Sequence, residues 1–71
     1  MGADVIDIVV NGEPRRIPEG LSVEAFLRHA GIDPERVAVE MNREIVRRAA
    51  WPETVVPAEA RIEVVQFVGG G

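Results

Sequence analysis

Ile6, Ile8 and Val10 alternate with Val5, Asp7 and Val9. A period of two predicts a strand, here with a partly apolar second face. Asn11-Gly12 follows. Both central residues of a type I′ turn need positive φ, so this dipeptide predicts a tight hairpin. The returning strand runs from Pro14 to Ile17. Pro14 cannot donate to a ladder and Pro18 stops the strand, which predicts an edge position.

The period then changes. After the Pro18-Glu19-Gly20 turn, Val23, Phe26, Leu27 and Ala30 fall at i, i+3, i+4 and i+7. That spacing puts one apolar stripe on a helix. Ser22 is placed to cap its N-terminus, with Glu24 near the positive end of the dipole. Leu21 and Phe26 occupy the positions of a hydrophobic staple. Gly31 suits the left-handed position after the helix, with Ile32 returning to Leu27 in a Schellman cap. A helix of about nine residues follows from these signals.

Beyond the Asp33-Pro34 turn, Val37, Val39 and Met41 alternate with Ala38 and Glu40 as a half-buried strand. Asn42-Arg43 reads as a tight turn and Glu44–Val46 as a short strand. Ala49 to Glu53, with Trp51-Pro52, reads as a helical turn anchored by the single Trp. A loop through Pro57 leads to a last strand from Arg61 to Val68, in which Ile62 and Val64 alternate with Glu63, Val65 and Phe67. One helix must cover one face of one mixed sheet, because no other segment is long enough for a second layer. With the last strand beside the first, the expected fold is α+β: a β-grasp, ubiquitin-like sheet of four to five strands packed on one helix. The expected organisation is one domain over residues 1–68 and a flexible glycine tail over residues 69–71.

Composition removes most chemistry. The 71 residues are 46% hydrophobic, enough to fold. A chain this short buries about 60% of its unfolded surface and has little room for a deep cleft. It has no Cys and no Lys, and one His. A disulfide scaffold, a thiol nucleophile and a cysteine zinc site are excluded, as is a side-chain amine for a Schiff base or an isopeptide bond. Its formal net charge is -4, which argues against nucleic-acid and membrane-surface partners. No apolar run approaches a membrane span, and the N-terminus lacks the features of a signal peptide. A cytoplasmic protein that binds no metal or cofactor of its own is the expectation.

Among the remaining side chains, Glu40, Glu44, Asp4 and Asp7 show no acid–base spacing and read as a solvated face. His29 sits in the last helical turn, where interaction with the helix C-terminus accounts for it. Arg47-Arg48 reads as a surface salt bridge or a partner contact, and Trp51 as a core anchor. The end of the sequence is different. Gly69-Gly70-Gly71 follows directly on a strand. Fraying accounts for most terminal glycines, but residues without side chains also let a carboxylate thread into a narrow site on another protein. An α-carboxylate is ionised near neutral pH and is a poor electrophile. It reacts only after activation, for instance as an acyl-adenylate made with ATP by a partner.

Several segments resemble the ThiS-type sulfur carriers of thiamine biosynthesis. They are Val10-Asn11-Gly12-Glu13, Leu21-Ser22-Val23, Val39-Glu40-Met41-Asn42-Arg43-Glu44-Ile45-Val46 with Arg48 and Trp51, and Ile62 to Gly71. The resemblance spans nearly the whole chain and departs at Glu59-Ala60, where the family usually has Gly-Asp. It implies a protein co-substrate and not an enzyme. A ThiF-like enzyme would adenylate the Gly71 carboxylate with ATP, and sulfur from a persulfide protein would convert it to a thiocarboxylate. Thiazole synthase would take that sulfur, with Gly69 and Gly70 threading into the partner sites. Molybdopterin-type carriers share the fold and tail, but Gln66-Phe67-Val68 fits the thiamine branch better. A ubiquitin-like modifier or interaction module is the alternative from another class. Strand alternation turns Val65 and Phe67 outward beside Val9, so these residues and Val68 form the expected partner-docking surface.

Overall fold

The computed structural model describes residues 4–67. Strand β1 (Val5–Val10) and strand β2 (Glu13–Pro18) form the first hairpin. Asn11 and Gly12 both take positive φ, 50° and 83°, as the I′ turn demands. Helix α1 (Val23–His29) follows, then strand β3 (Val37–Met41), strand β4 (Glu44–Val46) and strand β5 (Arg61–Gln66). Short 3₁₀ turns at Pro34–Arg36 and Arg48–Ala50 precede β3 and follow β4. The five strands form one sheet in the order β2-β1-β5-β3-β4. β5 lies in the middle, parallel to β1 and antiparallel to β3. The fold is a β-grasp, with β2 at an edge as its prolines require.

The helix is set by its ends. The Ser22 hydroxyl accepts a hydrogen bond from the Ala25 amide at 3.0 Å, satisfying one of the orphan donors of the first turn. At the other end Gly31 takes φ 75°. The Ile32 amide donates to Leu27 and the Gly31 amide to Arg28, the paired bonds of a Schellman cap. The regular helix is seven residues, shorter than the stripe suggested, because Ala30 serves as the C-cap. Val23, Phe26 and Leu27 are fully buried against Ile8, Ile17, Val39 and Ile62 from the sheet. Each such side chain contributes about 1.5–3 kcal/mol relative to exposure.

Trp51 closes one end of this core. It is buried, and its indole N–H donates to the Val46 carbonyl at 2.8 Å. Arg48 lies over the indole ring, 4.8 Å from the centroid, and donates to the Pro34 carbonyl at 2.7 Å. Arg48 therefore ties the two 3₁₀ turns together, a role its sequence neighbourhood did not announce. The turn before β5 is also informative. Glu59 takes φ 66°, a left-handed conformation in which side chains are strained. The turn geometry is thus kept without glycine. Glu59→Gly is expected to stabilise the domain by about 0.5–1 kcal/mol, strain relief exceeding the entropy cost of glycine. Urea unfolding checks this, and a lower midpoint for the variant would count against the strain.

Candidate functional site

β5 is the strand that precedes the terminal glycines in the sequence, so its surroundings frame the candidate site. Two asparagines grip it from opposite sides. The Asn11 side-chain amide donates to the Val64 carbonyl at 3.3 Å and accepts from the Val64 amide at 2.8 Å. This reproduces one rung of a strand ladder just where β1 ends. On the β3 side, the Asn42 side chain accepts from the Arg61 amide at 2.9 Å, and the Asn42 amide donates to the Arg61 carbonyl at 2.8 Å. Both asparagines have positive φ, at 50° and 52°. The hairpin turns are thus used twice: they reverse the chain, and they hold the central strand. The Phe67 amide donates to the Arg36 carbonyl at 2.8 Å, extending the β3 contact one residue past the strand.

Alternation along β5 buries Ile62, half-buries Val64, and exposes Glu63, Val65 and Phe67 on the face away from the helix. Val65 and Phe67 are 60% and 55% exposed. Val9 is half-buried and pairs across from Arg61, four residues before Val65 on β5. It lines a separate shallow groove of about 210 Å³ with Pro14 and Glu59. The neighbours of Val65 are different residues. Ala38 stands opposite it on β3, and Ile45 on β4 stands opposite Glu40. Together these residues and Glu63 line a groove of about 310 Å³ on the open face. The apolar surface beside Val65 therefore extends toward β4 and not toward Val9.

Ile45 is the residue that inspection of the sequence missed, although it is 77% exposed. Its signal was available. With Val39 inward and a two-residue turn at Asn42-Arg43, Val46 must pair with Val39 and face inward, which turns Ile45 outward. Val68, Gly69, Gly70 and Gly71 lie outside the described residues. The remaining polar residues do not converge. Asp7 forms an exposed cross-strand pair with Arg16 at 3.1 Å, and Glu24 pairs with Arg28 along the helix at 3.2 Å. Exposed pairs of this kind contribute little. His29 is exposed at the end of α1. Among the described residues, no group of three or more His, Asp or Glu is placed to hold a metal ion, and no helix is long and apolar enough to cross a membrane.

A five-stranded mixed sheet grasping one helix defines a ubiquitin-like β-grasp protein. The ThiS family model matches residues 8–71, and the chain belongs to the ThiS family. The crystal structure of the thiamine biosynthesis protein ThiS from Geobacter metallireducens superposes with a TM-score of 0.82 at 33% identity, covering 93% of this chain and 100% of that one. A thiazole synthase from Paramagnetospirillum magneticum is 41% identical over 64 residues, which are 90% of this chain and 20% of the synthase. One from Magnetococcus marinus is 42% identical over 64 residues, with the same coverage. The chain thus spans about a fifth of the length of these two relatives. The ycf40 protein of Porphyra purpurea is 32% identical over 66 residues, covering 93% of both chains.

Proposed function

We propose that this chain is a sulfur carrier of thiamine biosynthesis, a protein co-substrate whose working group is the Gly71 carboxylate. The observation that carries the reading is the ThiS match, which spans residues 8–71. A ThiF-like enzyme uses ATP to convert the carboxylate to an acyl-adenylate, releasing pyrophosphate. The terminal sulfur of a persulfide protein displaces AMP to give an acyl disulfide. A thiol reductant then attacks the donor-side sulfur, leaving the glycine as a thiocarboxylate and the donor as a mixed disulfide. Thiazole synthase then takes the sulfur into the thiazole ring. The carrier supplies reach and docking, and the catalytic groups and the ATP site belong to its cytoplasmic partners.

The composition supports this division. With no Cys and no Lys in the chain, neither a protein persulfide nor a lysine-linked polymer can form on it. Gly69 and Gly70 present no side chains to a narrow channel in a partner. The thiazole synthase relatives, in which a region similar to this chain belongs to the synthase polypeptide, favour the thiamine branch over the molybdopterin branch.

Intact mass tests the reading. The 71-residue chain is incubated with a ThiF-like enzyme, ATP and a persulfide donor. The expected product is heavier by the difference between one sulfur and one oxygen. An unchanged mass together with higher-mass conjugates would instead identify a protein modifier.

A further inference from the structure

Resting on that reading, we propose that the groove between β4 and β5 is a docking site for thiazole synthase, and that it receives a cationic side chain of the synthase between Glu40 and Glu63. These two residues stand directly opposite each other on β3 and β5. The backbone bonds from Asn42 to Arg61 and from Phe67 to Arg36 set the alternation, and it makes Glu40 and Glu63 a hydrogen-bonded pair. The Cα atoms of such a pair are about 5.5 Å apart, with both side chains on one face. Like charges directly opposite destabilise a sheet. Among the described residues neither carboxylate has an ion-pair partner. Arg61, the next outward residue on β5, forms no ion pair with Glu63.

The two acids border an apolar recess. Ala38 forms its small floor, with Ile45 and Val65 as exposed walls. One guanidinium or ammonium seated there answers both carboxylates, while its aliphatic stem lies along Ile45 and Val65. The apolar walls exclude water and strengthen the attraction. In the free domain the two acids face each other without an ion-pair partner among the described residues, and the net charge of -4 draws a cationic partner in. Thiazole synthase fits as the partner because in two relatives a region similar to this chain lies within the polypeptide of a thiazole synthase. The groove is also lined by β5, the strand that precedes Gly69-Gly70-Gly71 in the sequence.

The test uses the 71-residue chain and purified thiazole synthase from the same genome. Affinity is measured by calorimetry at low and high salt for the unaltered chain, Glu40→Gln, Glu63→Gln and the double variant. Each single change is expected to weaken binding about fivefold and the double change more, with the salt dependence reduced. The same changes are expected to raise the unfolding midpoint of the free domain by about 1–5 °C, which also shows that the variants fold. Equal affinity of the double variant and the unaltered chain would overturn the proposal. So would absent binding of the unaltered chain, or a self-dimer that Glu40→Gln/Glu63→Gln dissociates. Sulfur loading of the unaltered chain is scored separately by mass. Loading without groove-dependent binding removes the groove and keeps the carrier; groove-dependent binding without loading does the reverse.

Discussion

Deleting Gly71, or adding one residue after it, is expected to abolish sulfur loading while the unfolding transition stays in place. The two halves of this expectation have separate causes. Loading needs a carboxylate at a fixed reach from the sheet, and a residue of chain spans at most about 3.3–3.6 Å. Shortening the tail by that length withdraws the carboxylate from a site built around the reacting atoms, where a displacement of about 1 Å already costs about a hundredfold. Adding a residue ties the Gly71 carbonyl into a peptide bond and moves the free carboxylate one residue further out. Stability is indifferent, because the buried core ends at Ile62 and the last described backbone bond is made by Phe67. Intact mass and urea unfolding read the two halves. Full loading of either variant would remove Gly71 from the mechanism.

Phe26→Ala has the opposite profile. Phe26 is fully buried and is the largest side chain at the centre of the core. Truncating such a residue costs about 3–5 kcal/mol, the transfer of the ring plus the cavity left behind. A domain of 71 residues has a total stability of about 4–10 kcal/mol. The variant is therefore expected to lose roughly half of its stability or more, and its thermal transition should fall by tens of degrees. Circular dichroism against temperature measures this. A fall of only a few degrees would mean that the helix contributes far less to the fold than its burial implies. Loading should fail only in proportion to the unfolded fraction, since no Phe26 atom reaches the surface.

The local elements were legible because their signals are local. Ser22, the apolar stripe and Gly31 lie within ten positions of one another, and each acts on its own neighbours. Asn11-Gly12 and Asn42-Arg43 announced their turns for the same reason. What those asparagines do beyond turning the chain was not legible. Asn11 bonds to a residue 53 positions away, and no periodicity records such a pairing. The facing of Glu40 and Glu63 depends on a register between two strands separated by β4, a 3₁₀ turn and a loop. The exposed apolar face was legible in part. Outward alternation turns Val65 and Phe67 outward, but the stagger of β1 against β5 places Val9 beside Arg61, and the apolar neighbours of Val65 in its groove are Ala38 and Ile45. Arg48 reads as surface charge until the fold lays it over Trp51.

The position of β5 bears on how the protein is made. The strand that joins β1 to β3 is the last one in chain order. Before it emerges during synthesis, the chain holds two separate hairpins and a helix with no continuous sheet to cover. Closing the sheet then requires contacts between its two ends, a topology that favours slow folding. A product cut short before β5 lacks its central strand as well as its glycines, so it presents unfolded chain to proteases. Completion of the core thus waits for β5, and a chain that has folded already holds the strand that precedes its glycines in the sequence.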